Sequence, residues 1–200
     1  MRTLTLLICL VGAAAVALAQ DKPAAAPSQG PPKTATAVPQ GSALVAFDRK
    51  AYGYLKDVLL RSAEKMPEEN FNFKPADTVR SFGQILGHVA DSQYYFCSKV
   101  LGDKDPDPKI EQTKTSKADL IGALKGAFTY CDKAYDGMTE TSATQTVKLF
   151  GGEDTPKKDV LTINNMHTVE HYGNLVTYLR MKNIVPPSSE QRESQPQPKK

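Results

Sequence analysis

His167-Thr168-Val169-Glu170-His171-Tyr172-Gly173-Asn174-Leu175-Val176-Thr177-Tyr178-Leu179-Arg180 is the stretch whose reading decides the fold. It lies in a segment that opens at Thr155-Pro156 and closes before Pro186-Pro187. Thr at the N-cap and Pro at the first helical position form a helix start signal, and paired prolines stop a helix. The segment therefore predicts one long helix, reaching about Asn183. On a helix, residues i and i+4 share a face, so His167 and His171 point the same way. The chain holds only one other histidine, His88, in Gln84-Ile85-Leu86-Gly87-His88-Val89-Ala90-Asp91.

Working outward, three more helices fit the apolar periodicity. The first covers about Ser42 to Lys65, with Leu44, Phe47, Tyr54, Val58 and Leu59 at helical spacing; Pro67 ends it. The second covers about Val79 to Leu101, with Thr78 as its N-cap and Gly102 past its end. Gly102 to Thr115, rich in Asp and Pro, reads as a loop. Ser116 caps a third helix, with Asp119 as a weak capping-box partner, and Gly137 ends it. Thr144 to Phe150 reads as extended, before a Gly151-Gly152 turn. The expected fold is an all-α four-helix bundle.

The N-terminus reads as a targeting segment. Arg2 precedes an apolar run from Leu4 to Leu18, and Ala17-Leu18-Ala19 is a small-x-small cleavage signal. The run is too short and Ala-rich for a stable membrane span. We expect a signal peptide over 1–19 and an exported protein, periplasmic or secreted. Residues 20–42, with Pro23, Pro27, Pro31, Pro32 and Pro39, read as a disordered linker. The folded domain is expected over 43–187 and a disordered polar tail over 188–200. The net charge of +3 carries no clustered basic face, which argues against nucleic acid as a partner.

Cleavage would leave two cysteines, Cys97 and Cys131, and an even pair in an exported chain suggests a disulfide. Each lies near the C-terminal end of its helix. A disulfide needs Cα atoms within about 7 Å, so these helices must run parallel. The second helix is roughly 34 Å long, and the 102–115 connection spans up to about 46 Å when extended. The implied order is up-down-down-up, with the long connection between helices 2 and 3.

Neutral imidazoles are good ligands for divalent transition metals, and three protein ligands leave a fourth position for water or substrate. His88, His167 and His171 are the expected ligands of one ion, with Zn²⁺ first and Ni²⁺, Mn²⁺ or Fe²⁺ as substitutes. Affinity should fall below about pH 6.5, where imidazoles take up protons. Asp91 and Gln84 flank His88 at helical spacing as candidates to orient it. Asn164, Asn174 and Tyr178 share the stripe of His167 and His171. Glu170, the carboxylate between the two histidines, is the candidate proton acceptor. The segment also spells H-x-x-E-H, a zinc-protease signature. That class has a much larger α/β body and a distant acidic ligand, whereas fewer than thirty residues follow His171.

Phe82-Gly83-Gln84-Ile85-Leu86-Gly87-His88-Val89-Ala90-Asp91, together with His171 to Arg180 and Ile184-Val185-Pro186-Pro187-Ser188-Ser189, resembles DinB-like (YfiT-like) proteins over about Ala43 to Ser189. The resemblance implies an up-down-down-up bundle with a divalent metal on three histidines, matched here by His88, His167 and His171. Some members transfer low-molecular-weight thiols or isomerise substrates with a thiol cofactor; an exported member departs from that setting. The functional expectation is a metal-dependent hydrolase or transferase acting on a small molecule. The alternatives are a non-enzymatic metal or small-ligand binding bundle, or a bundle acting through protein contacts. Bundles of this kind often form homodimers.

Overall fold

Ser81 sets the start of the helix that carries His88. Its hydroxyl accepts from the Gln84 amide while the Gln84 side chain accepts from the Ser81 amide, so two otherwise unpaired donors are satisfied. This capping box places the N-terminus of α2 (Phe82–Leu101) three residues beyond the expected start, and Thr78 is not its cap. Gly102 closes α2 at φ 79°, a left-handed turn that suits glycine.

The computed structural model describes residues 40–190. The expected signal peptide and nearly all of the expected linker lie outside the described residues, as do residues 191–200. The remaining long helices are α1 (Gln40–Lys65), α4 (Lys117–Asp136) and α6 (Lys157–Met181), with short helices α3 (Ile110–Thr113) and α5 (Glu140–Ala143). Strands β1 (Thr146–Leu149) and β2 (Glu153–Pro156) form one antiparallel hairpin, with Val147 opposite Thr155. The fold is all-α apart from this hairpin. No described helix is long and apolar enough to cross a membrane.

Contacts between side chains fix how the long helices pass one another. Gly83 meets Leu120 near the starts of α2 and α4, and Cys97 meets Cys131 near their ends, so these two run parallel. Arg49 reaches Tyr135 and Lys117 reaches the Glu64 carbonyl, so α1 runs against α4. Gln93 bonds Thr168 while Tyr178 bonds the Arg80 carbonyl, so α2 runs against α6. The core between them includes Leu59, Met66, Phe82, Leu86, Leu124, Phe128, Leu175 and Leu179, all fully buried. Each such side chain contributes about 1.5–3 kcal/mol on burial.

Three expectations are corrected. Thr155 and Pro156 end β2 rather than open α6: Lys157 is the first helical residue, and its amide donates to the Gln145 carbonyl. Phe47 and Tyr54 are exposed at 71% and 54%, because the buried stripe of α1 is centred on Tyr52, Leu55 and Leu59. Residues 188–190 pack on the bundle instead of forming free tail. The Ser188 amide donates to Tyr172 Oη, Ser189 is buried, and Glu190 pairs with Arg61 and Lys65.

Candidate metal centre and cleft

α2 and α6 cross where each presents histidine. His88 Nε2 lies 3.1 Å from His167 Nε2, and His171 Nε2 lies 3.0 Å from the same atom. A donor atom from each of the three falls within 4.8 Å of the others. Ligands around a tetrahedral Zn²⁺, each ~2.0–2.1 Å from the ion, are separated by about 3.3 Å. The cluster is therefore of the size a divalent ion needs, with the Nε2 atoms of His88 and His171 both gathered on that of His167.

Protonation chemistry supports the fit. A neutral imidazole has one N–H and one lone pair. With His167 Nε2 in contact with Nε2 of both His88 and His171, the three cannot all carry protons there, and three lone pairs facing inward repel one another. A cation at their centre removes that conflict. Burial pulls His167 down from 6.5 to about 4, helped by His171 and His88. Burial likewise pulls His171 to about 4, with His88 next in effect. Both are thus neutral at ordinary pH, the form a metal requires. Their Nδ1 atoms are buried without partners, the only such side-chain atoms among the described residues.

His88 is held differently. Its Nδ1–H donates to Glu111 Oε2 over 3.0 Å, and Glu111 Oε1 accepts from Arg80 Nε at 2.8 Å. Neither Asp91 nor Gln84 touches the imidazole. The Asp91 carboxylate accepts from the amides of Ile110 and Glu111, and Gln84 is committed to the capping box. Glu111 sits on α3, inside the stretch expected to be plain loop. The signal for it was faint: Ile110 is the only non-proline apolar residue between Gly102 and Thr115, and it anchors the connection at 4% exposure.

Beside the histidines opens a cleft of about 580 Å³, lined by Arg80, Gln84, Glu111, Glu170, His171 and Asn174 among others. Glu170 is exposed on its wall. Tyr178 also lines it, with its hydroxyl donating to the Arg80 carbonyl at 2.8 Å, as expected of a satisfied core tyrosine. Asn164 is not part of the site. It is fully buried one turn away, bonded to Gln93 and Tyr135.

The DinB superfamily profile matches residues 54–175, which spans α2, the hairpin and most of α6. The chain belongs to the DinB superfamily. The uncharacterized protein YjoA of Bacillus subtilis (strain 168) is 25% identical over 130 residues, covering 62% of this chain and 82% of that protein. A solved DinB-like protein from Bacillus cereus ATCC 10987 superposes with TM-score 0.62 at 16% identity, over 69% of this chain and 92% of its own. A mycothiol-dependent maleylpyruvate isomerase superposes with TM-score 0.55 at 14% identity, over 66% and 59% respectively. At these identities the solved structures show a shared fold. For this DinB superfamily member the site must be argued from its own residues.

Proposed function

We propose that this protein is an exported metal-dependent enzyme, a hydrolase or transferase of small molecules, with one divalent ion on His88, His167 and His171. The observation that carries the reading is the convergence of three Nε2 atoms, at 3.0 and 3.1 Å contacts, beside an open cleft. Zn²⁺ is the first candidate because imidazole suits it, and Ni²⁺, Mn²⁺ or Fe²⁺ would be accepted by the same donors. Bound there, the ion supplies Lewis acidity that yields a nucleophile at neutral pH. The chain's own groups do the rest. His167 and His171 are kept unprotonated by burial, Arg80 and Asn174 offer donors to a substrate in the cleft, and Glu170 accepts a proton from it.

Export rests on the Arg2-to-Ala19 signal. The same reading makes Cys97 and Cys131 a disulfide, which their 5.3 Å Cα separation permits. Non-reducing mass spectrometry of secreted protein should find no free thiol. The thiol-dependent isomerase among the structural relatives supports including thiol transfer and isomerisation in any activity screen. The test is turnover of ester, amide and thiol-transfer substrates by metal-loaded protein. Activity that needs the metal, disappears in His167→Ala and falls in Glu170→Gln supports the enzyme. Metal binding with no turnover on any substrate supports a binding protein instead.

A further inference from the structure

The 102–115 connection carries a carboxylate into the proposed metal centre, and three separate features hold it there. Gly87, the residue before His88, has no side chain at the point where α3 crosses α2. A Cβ on Gly87 would lie 2.7 Å from the Glu111 Cα and 2.9 Å from its amide nitrogen, so only glycine admits the backbone of α3 this close. Asp91, one turn after Gly87, accepts the Ile110 and Glu111 amides at 2.8 and 3.0 Å, and so pins the first turn of α3 from below. Ile110 is buried in the core cluster. The result is that Glu111 spans two groups, with Oε1 on Arg80 and Oε2 on His88 Nδ1.

We propose that Glu111 is the positioning residue of the metal centre, seated by Gly87 and Asp91. This rests on the reading of the three histidines as metal ligands. A carboxylate accepts but does not donate, so Glu111 holds the proton of His88 on Nδ1 and leaves the Nε2 lone pair facing His167. It also fixes the rotation of the ring and makes it a stronger donor to a metal. His167 and His171 have no equivalent partner, since their Nδ1 atoms are unpaired. His88 is thus the one ligand whose tautomer and aim are set by the protein, and Arg80 holds the second oxygen so that the carboxylate cannot swing into the cleft.

The test measures Zn²⁺ affinity by competition with a chromogenic chelator, and the visible absorption of the Co²⁺-loaded protein. Glu111→Ala should weaken Zn²⁺ binding by about 10- to 100-fold and shift the Co²⁺ bands, with far-UV circular dichroism unchanged. Beside Arg80→Ala, which leaves the NH2 of Gln facing no donor, Glu111→Gln still accepts Nδ1–H on its amide oxygen and should recover most of both relative to Glu111→Ala in that same background. Gly87→Ala, which pushes α3 away, should resemble Glu111→Ala, and the double variant should be no weaker than either alone. A folded Glu111→Ala with wild-type affinity and spectrum would overturn the proposal while leaving the three-histidine site standing. In the Arg80→Ala background, Glu111→Gln binding no better than Glu111→Ala would also overturn it, assigning the effect to charge alone. Wild-type protein that takes up no metal would overturn both the site and the positioning role.

Discussion

One turn of α6 separates two polar clusters that meet α2 on the same face, and they are built to opposite rules. In the first, Asn164 and Thr168 are buried with every polar atom engaged. Asn164 exchanges bonds of 2.9 and 3.1 Å with Gln93 and approaches Tyr135 Oη at 3.2 Å, while Thr168 bonds Gln93 and its own helix. In the second, His167 and His171 press their Nε2 atoms together and leave their Nδ1 atoms unpaired. A paired buried network needs nothing further and serves to fix the packing of α2 against α6. A cluster that crowds its Nε2 atoms against one another at the edge of a cleft has a conflict of protons and lone pairs that a cation among them would relieve. Both clusters are polar and at least partly buried; one satisfies its own donors and acceptors, and the other crowds nitrogens that an added cation would relieve.

The comparison is broken most severely at the histidines. His171→Ala should reduce metal affinity by roughly a thousandfold, as one of three ligands to an ion whose binding is worth ~10 kcal/mol or more. The metal-free variant should unfold at the same urea concentration as the metal-free parent, or higher. Equilibrium dialysis and urea titration measure the two quantities. Asn164→Ala should do the reverse. It strands Gln93 inside the core, and we expect about 3 kcal/mol of lost stability with metal stoichiometry unchanged.

A pH titration sharpens the contrast. His167 and His171 are held near 4 in the folded state against 6.5 for an unperturbed imidazole. Between those values the unfolded chain binds protons that the folded chain refuses, so metal-free protein should lose stability steadily as pH falls from 6.5 to 4. His167→Gln/His171→Gln should lack that slope, whereas Asn164→Ala should keep it. The same depression lets these two ligands resist protonation below pH 6.5, lower than ordinary imidazole would allow. The smallest effect on stability is expected at Glu170, which is exposed: Glu170→Gln should shift stability by no more than about 0.5 kcal/mol and leave metal content intact. Any change it makes should appear in turnover alone.

The histidine cluster was legible because its spacing is local. The i,i+4 pair needs only that 157–181 be helical, and His88, the chain's one other histidine, stood out as the third member, in agreement with what the resemblance implied. Glu111 was not legible, because its contact depends on how a connection with a single non-proline apolar anchor returns across α2. Gly87 marked the crossing, but a glycine in a helix does not say what approaches it. The hairpin was read by half: its first strand, Thr146–Leu149, and the Gly151-Gly152 turn fall where extended chain and a turn were expected, but its second strand was taken for a helix start. Thr155-Pro156 has the chemistry of a helix start, yet Thr155 is taken by pairing with Val147, which sequence position alone does not reveal. Phe47 and Tyr54 fit a helical period, but period does not fix which edge of the stripe a neighbour covers.

The central claim is that the three converging imidazoles hold one ion. Elemental mass spectrometry of the purified protein, beside His88→Ala and His171→Ala, tests it most directly. The account predicts near one equivalent of a divalent transition metal in the parent and none in either variant. No metal in the parent after reloading at neutral pH, or full metal in both variants, would contradict it.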